Sequence, residues 1–416
     1  MLNTAFPPWP SYTKEEAEAV SRVLLSNRVN YWTGEEAREF EREFAAFAGC
    51  EHAIGLANGT LALELAMRGL GIGPGDEVVV TPRTFIASVS SVVTIGARPV
   101  FADVERDTQA ISAATIEAVL TPATRAVIVV HLAGWPADMD AIMTLAEERG
   151  FSVIEDCAQA HGARYQGRSV GSIGHVGAWS FCQDKIMTTG GEGGMITTSD
   201  RELWSRMWSY KDHGKSWEAV HEREHPPGFR WLHESFGSNW RMSELQAVLG
   251  RIQLDRMDSW QARRLANAER IWDACRGIDW LRVPPIPEGV VHAAYKAYVF
   301  VRPERLPSAW SRDRIMTALL DEGVPAYSGS CSEVYLEKAF ADTDFAPPAP
   351  LPNARELGET SLMFLVHPTL GVEHVGRTCE AIRAVDAQIR AGDDDAVAER
   401  VNLFRTATSQ TTSFSR

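Results

Sequence analysis

Apolar and polar positions change rhythm regularly along this chain. Residues 35–49 (EEAREFEREFAAFAG) place their apolar side chains at helical spacing and end on glycine, the usual helix stop. The runs 52–57, 78–81, 99–104, 126–130, 151–155, 177–181 and 195–198 are apolar and short. A strand without polar alternation is buried on both faces. Helical stretches fall between the runs, among them 61–69, opened by Asn58-Gly59-Thr60, and 138–149, with Asp138 as N-cap and Gly150 beyond its end. Buried strands joined by helices predict an α/β fold, a three-layer large domain with a mostly parallel sheet covered on both sides.

The rhythm then shifts. From Ser243 a long helical pattern takes over (SELQAVLGRIQLDRMDSWQARRLANAERIWDAC), of the kind that links a large domain to a smaller one. Residues 295–385 mix a strand (295–301) with helices (312–322 and 375–385), which predicts a smaller C-terminal α+β domain. The expected division is 1–250, 251–390 and a polar tail over 391–416 that lacks sustained apolar periodicity.

Composition narrows the function. The 416 residues are 45% hydrophobic and 23% charged, as in ordinary globular proteins, with a formal net charge of −14. That charge argues against a nucleic-acid or anionic-membrane partner, though not against a local basic pocket. No run approaches the length of a membrane span, and the start MLNTAFPPWPSYT is not a signal peptide. Six scattered cysteines without C-x-x-C suggest reduced thiols, hence a cytoplasmic setting.

The candidate chemistry starts at 179–194, WSFCQDKIMTTGGEGG, where Lys185 stands between two strand-like runs. A lysine that is to attack a carbonyl must be unprotonated, which burial and nearby positive charge favour. Taken alone it reads as one more exposed lysine. Asp156 ends the run FSVIED at the C-terminal end of a predicted parallel strand, where α/β sheets place ligands. Asn58-Gly59-Thr60 opens a helix directly after an apolar run, so free backbone N–H groups and the helix dipole suit an anion there. The Ser180 hydroxyl is a further donor for it, and Phe85, after the 78–81 run, offers an aromatic face. Lysine, acid, phosphate cradle and aromatic wall together predict a site for pyridoxal phosphate, whose pyridine nitrogen needs an acid beside it.

A second motif competes. His221-Glu222-Arg223-Glu224-His225 fits H-E-x-x-H, the spacing that puts two imidazoles on one helix face for zinc. Pro226 and Pro227 bar a continuing helix, and Trp231 stands where a third histidine would complete the extended motif. A zinc hydrolase is therefore the minor reading.

Five stretches together, 58–88, 131–142, 154–163, 179–198 and 237–258, resemble the sugar aminotransferases of the DegT/DnrJ/EryC1/StrS family, within the fold-type I pyridoxal phosphate enzymes. The resemblance runs from about Tyr31 to about Val385. It implies that Lys185 bonds the cofactor and serves as catalytic base, and that Asp156 pairs with the pyridinium nitrogen. Gln159 would lie near the cofactor's phenolic oxygen, Phe85 would stack on its ring, and Gly59, Thr60 and Ser180 would hold its phosphate. Asn239 would reach the neighbouring subunit's cofactor, which makes the active unit a homodimer. His161 falls in a family motif with a structural role. Relatives that dehydrate deoxysugars carry histidine at the position of Lys185. The implied reaction moves an amino group from L-glutamate to a nucleotide-linked keto-sugar; a cyclitol ketone or a non-catalytic regulator are the alternatives. Two departures stand out: Asn58 where members more often have serine, and Tyr327-Ser328-Gly329-Ser330 where many carry a histidine-tyrosine pair.

Overall fold

The computed structural model describes residues 6–391. The first half of the chain runs α1 (Lys14–Leu25), α2 (Glu36–Ala48), β1 (His52–Leu56), α3 (Gly59–Gly69), β2 (Glu77–Val80), α4 (Ala87–Thr94), β3 (Arg98–Phe101), α5 (Ala113–Glu117), β4 (Thr124–Val130), α6 (Met139–Arg149) and β5 (Ser152–Asp156). A short hairpin, β6 (Arg164–Tyr165) and β7 (Arg168–Ser169), precedes β8 (Val176–Ser180), β9 (Gly194–Thr198), α7 (Arg201–Lys211) and α8 (Trp217–His221). There follow α9 (Glu244–Leu254), α10 (Met257–Arg276), β10 (Leu281–Arg282), β11 (Val290–Val291), β12 (Ala297–Val301), α11 (Arg312–Asp321), β13 (Ala326–Tyr327), α12 (Pro352–Thr360), β14 (Ser361–Phe364) and α13 (Val372–Ala391).

Seven strands form one sheet in the order β1-β9-β8-β5-β4-β2-β3. The ladders from β3 to β8 are parallel, and β9 alone runs against its neighbours β8 and β1. Successive side chains along each strand enter opposite cores, as the period of two requires. Val78, Val80, Ala126, Ile128, Val130 and Ile154 join the core under α2, α3 and α7. Val79, Val127, Val129 and Val153 join the core on the other face, with Ile142 and Leu145 of α6. A four-stranded antiparallel sheet, β10-β12-β14-β13, holds a further core against α10, α11 and α13.

Two local expectations change. The long helical pattern after Ser243 is two helices, α9 and α10, with Asp255 and Arg256 between them. The break falls where Arg256 binds Glu15 at 2.7 Å and Glu16 at 3.2 Å on α1, so tertiary pairing overrides an unbroken propensity. Helix α1 is an addition to the expected elements, although Thr13 and Glu16 form a full capping box. Of the polar tail expected over 391–416, all but Ala391 lies outside the described residues.

Glu155 and Asp156 are adjacent acids at the end of β5, so they face opposite sides of the sheet. Glu155 is fully buried and accepts four hydrogen bonds: from Gly171 N at 2.8 Å, Ile173 N at 2.8 Å, Gly174 N at 2.6 Å and His131 Nε2 at 3.0 Å. His131 Nδ1 accepts the Ala137 N–H, which fixes the proton on Nε2. Cys157 lies close enough to complete a cation-sized cluster, but the carboxylate is already saturated by donors. Burial alone would raise the Glu155 carboxyl; the bonds from His131 and the loop outweigh it and hold the group below the ordinary range. Its contribution to stability is therefore present above the ordinary carboxylate pKa and lost as pH falls through the lowered folded value. Glu155→Ala strands three backbone donors and a histidine, and we expect a loss of about 3–5 kcal/mol in urea unfolding at neutral pH.

Candidate active site

The C-terminal ends of β5 and β8 lie side by side, with Asp156 opposite Ala178 in a parallel ladder. Beside them β1 ends and α3 begins. A cavity of about 980 Å³ opens along this edge. Gly59, Thr60, Phe85, Asp156, Gln159, Ser180 and Lys185 all line it. Seven of the eight site residues expected from sequence thus converge, from separate stretches of chain.

The helix N-terminus comes first. Asn58 is extended and caps α3, its side chain accepting from Leu61 N at 3.0 Å. The N–H groups of Gly59 and Thr60 precede the first full helical bond and have no partner within the helix. Two glycines keep this backbone bare. A Cβ on Gly59 would stand 2.6 Å from Ser180 Cβ, and one on Gly194 would stand 2.3 Å from the Asn58 carbonyl oxygen. Gly194 is the last residue of the glycine-rich GGEGG, so that motif serves to let β9 press against the start of α3.

Asp156 is buried and held by two donors, Ser88 Oγ at 2.8 Å and Ala158 N at 3.1 Å. Ser88 is in turn 2.9 Å from Thr84 Oγ1. Gln159 is also buried and fixed, its Oε1 accepting the Ala133 N–H at 2.8 Å. Phe85 is 67% exposed, so this chain leaves its ring largely uncovered.

Lys185 stands in the loop between β8 and β9. Its carbonyl accepts the Trp9 indole N–H at 2.8 Å, and its Nζ lies 5.4 Å from the centroid of Tyr295. The Tyr295 hydroxyl donates to Asp184 Oδ2. Burial acts to raise the Asp184 carboxyl, but Lys185 and that phenol outweigh it and keep it low. His161 is buried against Trp179 and Phe181, with ring centroids 5.3 and 5.6 Å away. Burial, then Lys185 and Arg264, push its pKa down to about 3, so it is a neutral packing residue.

Asn239 does not line the cavity. It is exposed and bridges Asp212. The zinc motif also fails to assemble. Helix α8 ends at His221, whose ring packs 4.1 Å from Trp217, while His225 Nε2 donates to the Ala219 carbonyl and Glu222 pairs with Arg201. Sequence reasoning missed Ser88, Asp184, Tyr295 and Lys296, all on the cavity wall. The Thr84–Ser88 spacing at the start of α4 is a usable sign for the first of them; for Tyr295 and Lys296 the apolar run gives none. The loosely matching 327–330 segment lines the cavity through Tyr327, Gly329 and Ser330.

A lysine on the β8–β9 loop, a buried acid at the end of β5 and a bare helix N-terminus in one cavity define the class. The protein is an α/β aminotransferase of fold type I. It belongs to the DegT/DnrJ/EryC1/StrS aminotransferase family, whose profile matches residues 10–383. The crystal structure of an aminotransferase from Psychrobacter cryohalolentis superposes with a TM-score of 0.91 and 62% identity, covering 92% of this chain and all of the other. A dTDP-3-amino-3,4,6-trideoxy-alpha-D-glucose transaminase from Streptomyces venezuelae is 37% identical over 89% of this chain and 91% of its own length. A UDP-N-acetyl-3-dehydro-alpha-D-glucosamine 3-aminotransferase from Acidithiobacillus ferrooxidans is likewise 37% identical, over 85% of this chain and 90% of its own.

The contact of Gly59 with Ser180 is open to a direct check. Gly59→Ala is expected to destabilise the fold by about 1–3 kcal/mol through overpacking. Adding Ser180→Gly removes the two nearest opposing atoms, Cβ and Oγ, so the double variant should be more stable than the two losses added, by about 0.5 kcal/mol or more in a denaturant cycle.

Proposed function

We propose that this enzyme uses pyridoxal phosphate to transfer the amino group of L-glutamate to a ketone on a nucleotide-linked sugar. One observation carries the reading: Lys185, Asp156 and the bare start of α3 face the same cavity. The residues present fit the cofactor. A Cβ at Gly59 or Gly194 would fill the cradle, and both positions are glycine. Asp156 lies buried, with Ser88 and Ala158 orienting its oxygens. When bound, pyridoxal phosphate supplies an electron sink for the substrate carbon and carries the amino group between the two half-reactions.

This chain's own residues do the rest. The N–H groups of Gly59 and Thr60, with the Ser180 hydroxyl, bind the phosphate at the positive end of α3. Asp156, kept dry by burial, holds a proton on the pyridine nitrogen. Lys185 would hold the cofactor through its amine and would take and return the proton at the substrate carbon. Tyr295 and Asp184 fix the surroundings of that amine. Gln159, its Oε1 locked by the Ala133 N–H, would offer its amide N–H to the cofactor's phenolic oxygen.

The acceptor class rests on the two relatives whose names specify a dTDP- or UDP-linked sugar. Asn239, exposed and away from its own cavity, is assigned to the cavity of a second copy, in a homodimer with shared sites. The setting is the cytoplasm; among the described residues no helix is long and apolar enough to cross a membrane.

Borohydride treatment of the purified enzyme should fix the cofactor to Lys185, read by peptide mass, and Lys185→Ala should reduce transfer to background. Labelling elsewhere, or no cofactor uptake, overturns the assignment. A panel of nucleotide-linked keto-sugars beside a keto-inositol, with glutamate as donor, decides the acceptor; amination of the keto-inositol alone would exclude the sugar reading.

A further inference from the structure

Lys296 is a second lysine on the cavity wall, and the proposed transfer leaves it without a role. Its position is set by backbone pairing. Ala293 N donates to Gly134 O at 2.9 Å and Tyr295 N donates to Ala133 O at 3.0 Å, so the chain reaches β12 already pinned to the 132–134 turn. Tyr295 and Lys296 are thereby fixed at the same cavity as Lys185. The Lys296 Nζ lies 4.8 Å from the Tyr295 ring centroid, and the Lys185 Nζ lies 5.4 Å from it. A third cation stands behind them. Arg264 of α10 is fully buried, with Nη1 on the Tyr295 carbonyl at 3.4 Å and its guanidinium 4.8 Å from the Trp9 ring.

Asp184 offsets the positive charge here only in part. Among the described residues Lys296 makes no ion pair and no hydrogen bond, and Arg264 makes no ion pair. Two further nitrogens of Arg264, Nε and Nη2, are buried without a partner. The carboxylate that acts on Lys296 is Asp184, which already receives the Tyr295 phenol. Burial, Arg264 and Lys185 push the Lys296 ammonium down to about 8. The same surroundings hold His367 neutral: burial first, then Arg264 and Lys296, lower it to about 3. Buried cations without a paired anion are costly, and a ligand can supply the missing charge.

Both substrates of the proposed reaction are anions. The amino donor carries carboxylates, and a nucleotide-linked sugar carries a diphosphate. We propose that Lys296, with Arg264 behind it, is the substrate-anion anchor of this cavity, pairing with a donor carboxylate or with the acceptor's diphosphate. This rests on the aminotransferase reading above. Lys296 is a binding residue: it makes the ion pair that the protein leaves open, and Lys185 keeps the proton transfer.

Calorimetry on the holoenzyme tests it, with glutarate as the carboxylate probe and UDP and dTDP as the diphosphate probes. Lys296→Met and Lys296→Gln should each weaken at least one probe by about tenfold or more, and Lys296→Arg should keep it within about threefold. Loss of glutarate binding assigns the donor; loss of nucleotide binding assigns the acceptor. The proposal is overturned if both neutral variants bind every probe within about threefold of wild type, if Lys296→Arg loses as much as they do, or if wild type binds none. Turnover on the same preparations separates the two ideas. A wild-type enzyme that binds glutarate through Lys296 yet transfers no amino group would refute the function and leave the anion site standing.

Discussion

One reversed strand organises this site. After β8 the chain does not cross over through a helix, as it does after β2 and β4; it turns back and enters the sheet as β9, between β8 and β1. An antiparallel return needs only a loop, and that loop carries Lys185 at the ligand-binding edge. The insertion also presses β9 against the start of α3, which is possible because Gly194 has no side chain, and Gly59 lets the same helix start meet Ser180 of β8. The strand that places the lysine therefore also leaves the phosphate cradle open. Filling either glycine separates the two, and the site loses its geometry before it loses its chemistry.

A second economy lies in β5. The pleat sends Asp156 to the cavity and Glu155 to the opposite face. There Glu155 ties down the 171–174 loop and His131, fixing the end of the strand from behind. Preorganisation of the functional acid thus comes from its neighbour's buried hydrogen bonds and from Ser88 in front. The two carboxylates share a strand end and divide the work. Glu155 is saturated by donors, whereas Asp156 keeps an open side toward the cavity.

What can be read from sequence follows from the range of each interaction. Strands, the lysine loop, the acid at the strand end and the Asn-Gly-Thr helix start are local patterns, and the structure brings all of them to one edge. Capping by Thr13 and Glu16 is equally local, so α1 was within reach of the same reasoning. The helix break at Asp255–Arg256 is not legible, because it follows pairing of Arg256 with α1, some 240 residues away in sequence. Tyr295, Lys296 and Arg264 are hidden for the same reason. Their meaning depends on a fold that sets β12 and α10 beside a loop more than a hundred residues earlier. The HEREH motif fails in the opposite way: its spacing matches, but α8 stops at His221 and the second histidine faces a carbonyl instead.

Net charge does not describe the surroundings of Tyr295. The whole chain carries −14, which repels anionic substrates at long range. Screening limits that repulsion to about 8 Å at physiological ionic strength, so it reaches little beyond the surface. Inside the cavity the medium is less polarisable and screening is weak, and there the groups nearest a ligand decide. Lys185, Lys296 and Arg264 gather around one tyrosine, whose hydroxyl is bonded to Asp184. Of these three cations, Lys296 alone is neither assigned to the reaction nor sealed in the core.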